Sequence, residues 1–406
     1  MGTTAGTGVP RPTTAREGGD KEGAALVALV GVHGFGTHHL RNLERLQAAD
    51  AVELVAVADP QPPAPGSAPP SAAVYAGLEE LLAATPALDV IIVATPIQTH
   101  APLALAALAT DADLYLEKPP VASLADYDRL RSAADAAGRS VQVGFQSLGS
   151  HALKAIEELL AAGTIGSLQG ISATGRWVRD KAYYKRSRWA GKRSINGVDV
   201  VDGVATNPLA HAVATALRIA GARTTADVAS IETELYRANG IESDDTSVIR
   251  IRTIAGLPIT CALTICATES VEPYVTLQGS AGTAVFHYTE DRLTVATSAG
   301  RSEETYRRDD LTENLLAHRN GGAPLLSSLA DSGAFMLVLE AIRTAPAPAP
   351  IGASFVRWEG EGEAAHAVVV DIEDALERAG REHATFSELG LPWAGQSPTV
   401  FTLPAS

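Results

Sequence analysis

In the first third of the chain, short apolar runs alternate with segments of helical spacing. Ala25 to Val30 is a continuous run of small apolar residues that ends at Gly31, and Leu40, Leu43 and Leu46 then recur at intervals of three. Continuous apolar runs of this length are typical of strands buried on both faces of a parallel sheet. The pattern predicts a strand, a glycine turn and a helix.

The same alternation continues to about residue 145. Further strands are predicted at Val52 to Ala58, Asp89 to Ala94, Asp113 to Glu117 and Ser140 to Phe145. Further helices are predicted at Leu78 to Ala84, Ala101 to Ala109, Ser123 to Ala137 and His151 to Ala162. A proline-rich loop, Pro60 to Pro70, cannot form regular structure. Strands that alternate with helices predict a doubly wound parallel sheet.

Beyond Gly163 the apolar pattern changes to a period of two. Ile249 and Ile251 alternate with Arg250 and Arg252. This alternation predicts antiparallel strands with one buried face. Helical spacing returns near 331–343 and 372–379. The predicted fold class is therefore α/β, with an N-terminal parallel sheet followed by an α/β domain whose open sheet is mainly antiparallel.

Chain length supports this division. A chain of 406 residues is long enough for two packed domains, because single cores rarely exceed about 250–300 residues. Residues 1–23 mix Thr, Gly and Pro with both charge signs and have no apolar core, so we predict a disordered tail that is neither a signal peptide nor an anchor. Residues 24–145 form the first predicted domain and residues 146–406 the second.

The composition of the chain limits the classes of molecule that it is expected to bind. The formal net charge is -15, which disfavours nucleic-acid and anionic-membrane binding, since Lys and Arg drive both. No apolar stretch approaches the ~20 residues that span a bilayer, and we expect a cytoplasmic protein with a small-molecule partner. Cys261 and Cys266 have an odd spacing that would point their thiols to opposite faces, so neither a disulfide nor a metal site is predicted.

A glycine loop follows the first strand. In a Gly-x-Gly-x-x-Gly loop the first glycine makes the turn, the second admits the pyrophosphate, and the third allows close packing of helix and strand. Gly31 and Gly36 fill the first and third positions, whereas His33 occupies the second, with Gly34 and Phe35 after it. We predict a dinucleotide-binding Rossmann domain with these five residues in contact with the cofactor. The alternative is a tight turn without a ligand.

Asp59 ends the second strand, 23 positions after Gly36. An acidic residue at roughly this offset accepts hydrogen bonds from the adenosine ribose, and its charge repels a 2'-phosphate. Because no Arg or Lys occurs within Pro60 to Pro70, NAD is favoured, with NADP possible. The alternative is a turn aspartate that precedes Pro60.

Together these residues and three further motifs resemble the glucose-fructose oxidoreductase and inositol dehydrogenase (Gfo/Idh/MocA) family. The motifs are Ala94-Thr-Pro96 with His100, Glu117-Lys-Pro119 and Val143-Gly-Phe-Gln146, and the likeness extends to about Gly221. The resemblance implies a Rossmann domain and a second domain whose open sheet often supports oligomerisation, here as a dimer or tetramer. It places the nicotinamide at the cleft between them.

Two residues are the catalytic candidates that the resemblance implies. Lys118, after the fifth strand, would hydrogen-bond the reacting oxygen, with Glu117 beside it near the cofactor. His211 is aligned with the family's acid/base histidine, whereas Asn207 replaces the aspartate four residues before it. Asp202 is an alternative charge partner for His211. The alternatives are a solvated lysine and a histidine satisfied in the core.

Further residues are assigned to the cofactor path and the substrate. Thr95 and Pro96 would line the path beside the nicotinamide ribose, together with His100, which we expect to begin a helix rather than to act as a catalyst. Gln146 and Asn207 would contact the substrate.

A basic segment interrupts the acidic chain. Residues 175–194 contain eight cations and one acid, interleaved with four aromatic residues. Aromatic side chains stack on sugar rings. We therefore predict that this segment, through Arg176 and Trp177, forms a substrate lid with affinity for polyols or anionic sugars. A solvated basic loop and a contact with an acidic neighbouring subunit are equally open. Residues 357–366 have no functional interpretation.

The sequence thus predicts an oxidoreductase that transfers hydride between NAD(P) and a secondary alcohol or ketone of a sugar, sugar acid or cyclitol. One alternative is a glycoside-cleaving enzyme that uses NAD for transient oxidation. The other is a non-catalytic cofactor sensor, suggested by His33 and Asn207 at motif positions.

Overall fold

The computed structural model describes residues 23–85 and 87–403, and the predicted tail therefore lies outside the described residues except for Gly23. The first sheet has six parallel strands in the order 3-2-1-4-5-6. They are β1 (Ala25–Val30), β2 (Val52–Ala58), β3 (Ala73–Tyr75), β4 (Val90–Val93), β5 (Asp113–Leu116) and β6 (Val141–Val143). Four helices follow the strands: α1 (Gly36–Ala48), α2 (Leu78–Ala84), α3 (His100–Leu108) and α4 (Leu124–Ala137). This is the predicted doubly wound Rossmann arrangement.

Local sequence accounts for these elements. Leu40, Leu43 and Leu46 of α1 are buried with β1 and β2 in one core cluster, as their spacing predicts. Ser123 caps α4, because its hydroxyl accepts a hydrogen bond from the backbone N–H of Asp126. Strand β3 was missed in the sequence because it has only three residues, none of them buried, and follows the proline-rich loop directly.

A second sheet has ten strands and is mixed but mostly antiparallel, as predicted. Its strands are β7 (Leu168–Val178), β10 (Val228–Arg237), β11 (Thr246–Thr253), β12 (Pro258–Thr264), β13 (Cys266–Gly279), β14 (Gly282–His287), β15 (Arg292–Thr297), β16 (Gly300–Thr305), β17 (Ala349–Pro350) and β20 (Thr399–Phe401). Two small hairpins stand apart, β8 (Ser194–Ile195) with β9 (Val198–Asp199) and β18 (Val356–Glu359) with β19 (His366–Val369). The central strand β7 pairs in parallel with β12 and antiparallel with β13.

Six further helices follow in the described part of the chain: α5 (Ala152–Ala161), α6 (Lys181–Lys185), α7 (Ala210–Ile219), α8 (Leu311–Gly321), α9 (Gly333–Thr344) and α10 (Ile372–Glu382). Helices α7 and α9 cover one face, and their buried residues share a core with Ile249, Ile251 and Cys261. On the other face α10 packs over Val248 and Cys266. The two free thiols thus lie on opposite faces, as predicted. On the face that α10 covers, a concavity beside this helix leaves part of β13 to β16 uncovered.

Helix α8 departs from the expected domain limits. Its Leu311 and Leu315 pack in the core of the first sheet, although the sequence assigns everything after residue 145 to the second domain. The guanidinium of Arg319 pairs with Asp89 at 2.7 Å and Asp113 at 3.0 Å, at the amino ends of two parallel strands. The later part of the chain therefore returns to complete the first domain. None of the helices in the described part of the chain is long and apolar enough to cross a membrane.

Candidate active site

A cleft of about 1050 Å³ lies at the carboxyl ends of the parallel strands. One wall comes from the first domain and the other from residues 186–207 of the second. Most of the predicted site residues line it: Gly31, His33, Gly34, Phe35, Asp59, Thr95, Pro96, His100, Glu117, Lys118 and Asn207. Gly36 lies immediately behind this lining, at the start of α1. In this fold, ligands bind at that edge of the sheet.

The glycine loop is shaped by close backbone contacts. Gly31 has a φ of +89°, and a Cβ there would lie 2.6 Å from the carbonyl oxygen of Ala94. A Cβ on Gly36 would lie 2.1 Å from the carbonyl oxygen of Gly31. Because neither position accepts a side chain, strand, loop and helix pack with the backbone exposed to the cleft. The glycines of this loop therefore allow close packing of β1, the turn after β4 and α1.

His33 lies in the same loop, at the position where the motif has its second glycine. Its ring is exposed, and Nε2 lies 3.1 Å from the carbonyl oxygen of Gln61, in the loop after β2. Asp59 holds the same loop, because its carboxylate accepts hydrogen bonds from the backbone N–H groups of Val32 at 3.0 Å and Gln61 at 2.9 Å. Asp59 is thus both a turn aspartate and a cleft residue, so the two interpretations of the sequence do not exclude each other.

His100 joins two turns of the cleft wall. It is buried at the start of α3, with Nε2 2.7 Å from the oxygen of Thr95 and Nδ1 2.9 Å from the oxygen of Pro119. Burial lowers the pKa of His100, so the neutral ring donates to one of these carbonyl groups at a time. His100 is a structural link between the Thr95 and Lys118 turns, in agreement with the predicted helix start.

Glu117 is held by a histidine that sequence reasoning missed. His39, on the buried face of α1, has Nε2 2.9 Å from Glu117 Oε1, and both side chains are less than a tenth exposed. The other carboxylate oxygen accepts the backbone N–H of Lys118 at 3.1 Å. A Cβ on Gly144 would lie 2.7 Å from Glu117, so the next strand leaves room for the carboxylate. Nothing local signals this pair, since 78 residues separate its members.

Lys118 reaches across the cleft to the second domain. Its Nζ donates to the backbone oxygen of Asn207 at 3.0 Å and to the side-chain oxygen Oδ1 at 3.1 Å. Burial lowers the pKa of Lys118, while the negative charges of Glu117 and Asp202 partly oppose this effect. The amine is therefore placed and tuned by both domains.

His211 lies on α7, close behind Asn207. Its Nδ1 is 3.4 Å from the hydroxyl of Ser147, and its ring meets the face of Phe145 edge-on. Burial, with a smaller effect of the Lys118 charge, lowers the pKa of His211 to about 3. The imidazole is thus neutral at physiological pH. It does not line the main cleft.

Asp202 is not bonded to His211, contrary to the alternative drawn from the sequence. Its carboxylate accepts hydrogen bonds from the Asn207 side chain at 2.6 Å, the Gly191 backbone at 2.7 Å and Arg186 at 3.3 Å. Sequence reasoning could not find these contacts, because they form only when the loops at 186–207 fold together.

Besides His211, which was predicted to contact the substrate as well as to act in catalysis, three predicted substrate residues lie outside the cleft lining. Gln146 points toward Tyr115 and Glu117, at 3.4 and 3.5 Å, behind the Lys118 turn. Arg176 and Trp177 belong to β7, where Arg176 pairs with Thr264. These positions lie within the sheet because β7 is bordered by β12 and β13. The sequence could not show this, because strand pairing joins residues that are distant in the chain.

A later part of the same basic segment does reach the cleft. Arg186 and Trp189 line its second wall. The Arg186 guanidinium stacks 3.6 Å above the ring centre of Tyr183 and 4.6 Å from that of Trp189. The Arg179 guanidinium also lies 5.1 Å from the ring centre of Tyr183. The basic segment therefore contributes a clamped arginine to the cleft, ten residues after the one expected.

Comparison with known proteins agrees with this geometry. Residues 25–145 match the model of the GFO_IDH_MocA family, an oxidoreductase family with an NAD-binding Rossmann fold. An inositol 2-dehydrogenase from Leifsonia xyli is 26% identical over 185 residues, which are 45% of this chain and 54% of that protein. A 1-carboxy-3-chloro-3,4-dihydroxycyclohexa-1,5-diene dehydrogenase from Comamonas testosteroni is 30% identical over 145 residues, 35% of this chain and 36% of that protein. The matches thus span about half or less of these relatives.

Solved structures share the fold beyond the first domain. The crystal structure of the WlbA dehydrogenase from Bordetella pertussis, in complex with NADH and UDP-GlcNAcA, superimposes with a TM-score of 0.64 at 21% identity. The match covers 79% of this chain and 95% of that structure. This likeness extends the shared fold from the first domain into the second.

Proposed function

From the match of residues 25–145 to the GFO_IDH_MocA oxidoreductase family with its NAD-binding Rossmann fold, we propose that this chain is an NAD-dependent dehydrogenase or reductase of that family. Its substrate would be a secondary alcohol or ketone of a sugar, sugar acid or cyclitol. The observation that carries the proposal is the placement of the Lys118 amine at the wall of the cleft that the glycine loop and Asp59 also line.

The cleft fits a dinucleotide by its own geometry. Gly31 and Gly36 exclude side chains where a pyrophosphate needs the backbone, and helix α1 begins at that point with the positive end of its dipole. Asp59 lies at the end of β2, where it can accept the ribose hydroxyls. The cleft residues beside it, at 60–61 and 76–78, include no cation. A 2'-phosphate would therefore meet Asp59 without a counter-charge, which supports NAD over NADP.

Bound NAD supplies the capacity to exchange hydride with a carbon atom. The protein's part is to bind and orient the oxygen on that carbon and to move its proton. Lys118 has three N–H donors, and Asn207 occupies two of them, so one remains for a substrate oxygen. As an ammonium, Lys118 stabilises negative charge on that oxygen, and as a neutral amine it accepts the hydroxyl proton.

His211 is the second candidate for proton handling. Its low pKa keeps a lone pair available at neutral pH but makes it a weak base. We therefore assign the proton transfer to Lys118 and no proton-transfer step to His211, which does not line the main cleft. Because Asn207 replaces the aspartate of the family motif, no carboxylate raises the basicity of His211 at that position.

The substrate class rests on the second wall. Arg186 and Trp189 combine a cation with an aromatic face, an arrangement that suits polyols and acidic sugars. The relatives named above include a cyclitol dehydrogenase and a dehydrogenase crystallised with a sugar nucleotide acid. Neither identity is high enough to carry their substrates to this chain, so the class stays a proposal.

A substrate screen tests the function. The purified protein is incubated with sugars, sugar acids and inositols, with NAD and NADP in parallel, and absorbance of the reduced nicotinamide is followed. We expect turnover with NAD on at least one member of these classes. Sugar release without net NADH formation would identify the glycoside-cleaving alternative. NADH binding without any turnover would instead favour a non-catalytic cofactor sensor.

We also propose a homo-oligomer that forms through the uncovered part of the second sheet. Strands β13 to β16 present a concavity of about 700 Å³ beside α10, lined among others by Thr276, Val285 and Arg301. Light scattering coupled to gel filtration tests this proposal, and a monomer at micromolar concentration would refute it.

A further inference from the structure

A chain of polar contacts crosses the cleft and ends at the catalytic amine. Lys118 Nζ donates to Asn207 Oδ1 at 3.1 Å, Asn207 Nδ2 donates to Asp202 Oδ1 at 2.6 Å, and Arg186 Nη2 donates to Asp202 Oδ2 at 3.3 Å. The Asp202 side chain is only 4% exposed. The contacts are therefore largely shielded from bulk water, and charge interactions are stronger there than in solvent.

The chemistry of the neighbours fixes the orientation of the Asn207 amide. An ammonium only donates hydrogen bonds, and a carboxylate only accepts them. With Lys118 on one side and Asp202 on the other, the amide must present its oxygen to the lysine and its nitrogen to the aspartate. Without Asp202, nothing on that side would favour this orientation over the flipped one. A flipped amide would point N–H groups at the ammonium.

We propose that Asp202 is a positioning residue: it orients the Asn207 amide, and the amide in turn holds the Lys118 amine in the cleft. Arg186 opposes this effect, because it binds the same carboxylate. That these contacts serve catalysis rests on the proposed function, whereas the contacts themselves do not depend on it. Arg186 is suited to its part because Tyr183 and Trp189 clamp its guanidinium between them. The sequence motif alone places no charge behind Asn207.

The charges around Lys118 determine the sign of each effect. Glu117, beside it, and Asp202, behind Asn207, favour the ammonium form and raise the pKa of Lys118, whereas Arg186 lowers it. His211 is neutral and adds no charge. Removal of the Asp202 charge should therefore lower the pKa of Lys118, and removal of the Arg186 charge should raise it.

Competitive labelling measures this directly. The full chain, without cofactor or substrate, is treated with acetic anhydride at a series of pH values, and acetylation of Lys118 is quantified by mass spectrometry. Exposed Lys154 is the internal reference. We expect the midpoint for Lys118 to fall by half a pH unit or more in Asp202→Asn and to rise in Arg186→Gln. Asp199→Asn is the matched control, because Asp199 pairs with Arg343 at 3.0 Å and is not part of the chain of contacts. The Lys118 midpoint should not move in this variant.

Midpoints that stay unchanged, or that shift in the same direction in both variants, would overturn the proposal. Asp202 also accepts the Gly191 backbone N–H, so Asp202→Asn is compared with the parent by thermal melting. If it does not fold, Asn207→Leu breaks the same connection, and an unchanged Lys118 midpoint in that variant refutes the positioning role. The labelling needs no turnover. Its failure is therefore distinct from failure of the proposed function, which the substrate screen reports separately.

Discussion

Lys118 of the first domain and Asn207 of the second meet through two hydrogen bonds, although 89 residues separate them in the chain. The contact closes one end of the cleft between the domains. It also explains why the lysine does not extend into solvent, the usual state of a lysine in a strand-end turn. The amine is anchored on the second wall and faces the space that the glycine loop leaves free.

Replacement of Lys118 should separate binding from chemistry. We expect Lys118→Met to bind NADH within about threefold of the parent but to lose roughly 10²–10⁴-fold in kcat, the usual contribution of a positioned acid or base. NADH fluorescence measures binding and the active substrate of the screen measures turnover. Lys154→Met, on the exposed surface of α5, should leave both unchanged. An unaltered kcat in Lys118→Met would remove the lysine from the mechanism.

The pH profile should report Lys118 and not His211. In the direction of alcohol oxidation Lys118 acts as a base, so kcat/KM should rise with pH as the amine loses its proton, with a midpoint below 10.5 because burial lowers its pKa. With a pKa of about 3, His211 stays neutral and should give no inflection near pH 6.5. A histidine-like inflection that disappears in His211→Gln would contradict this assignment.

Gly36 should tolerate no side chain. A methyl group there would lie 2.1 Å from the carbonyl oxygen of Gly31, and overpacking of this kind typically costs about 1–3 kcal/mol. We expect Gly36→Ala to lower the melting temperature and to weaken NADH binding at least tenfold, because α1 must move away from β1. Gly34→Ala is the comparison, since open space surrounds that position and only its φ of +56° causes strain. Equal effects in the two variants would mean that close packing is not the reason.

The buried pair of His39 and Glu117 should matter more than an exposed pair. His39→Leu removes a hydrogen-bond partner from the buried Glu117 carboxylate, which typically costs about 1–3 kcal/mol. Arg45→Ala breaks a pair of side chains that are each about half exposed, and such pairs contribute at most about 1 kcal/mol. Urea unfolding of both variants measures the difference. We also expect His39→Leu to lower kcat, because Glu117 holds the backbone of Lys118.

Two adjacent buried aspartates should respond in opposite ways to neutralisation. Burial raises the pKa of Asp244 to about 6, and its Oδ1 has no hydrogen-bond partner among the described residues. The folded state therefore binds this proton more tightly than the unfolded state, and stability falls as pH rises from about 4 to about 6. At pH 7.5 the cost is roughly 2–3 kcal/mol, so Asp244→Asn should stabilise the protein there but not at pH 4.

Asp245→Asn is the contrasting variant. The Asp245 carboxylate accepts hydrogen bonds from the backbone N–H groups of Ala238 and Asn239 and from the Asn239 side chain. An amide cannot accept all of them, so this variant should be destabilised at both pH values. Thermal melting at pH 4 and pH 7.5 distinguishes the two, and a stabilised Asp245→Asn or a destabilised Asp244→Asn would contradict the assignment of the buried charge.

Much of the first domain could be predicted because its signals are local. The bounds of β1, β2 and α2 follow from apolar runs and turn residues that lie next to each other in the chain. The cleft residues of this domain could also be predicted from the sequence, because the carboxyl ends of parallel strands meet at one edge of the sheet independently of the loop conformations. Helix α8 was not predicted, and its residues were assigned to the second domain, because its leucines do not show which core they join.

The sequence by itself determined the two-sheet architecture, the glycine loop, Asp59 and the Lys118 turn, because periodicity and turn chemistry act over a few residues. The tertiary structure alone decided which side chains meet. It pairs His39 with Glu117 and Asp202 with Asn207, keeps Arg176 within a strand, and brings Arg186 to the cleft instead. These contacts depend on where distant loops are placed by packing and strand pairing. The free energy of burial that fixes them is a property of the whole chain, so no local pattern encodes it.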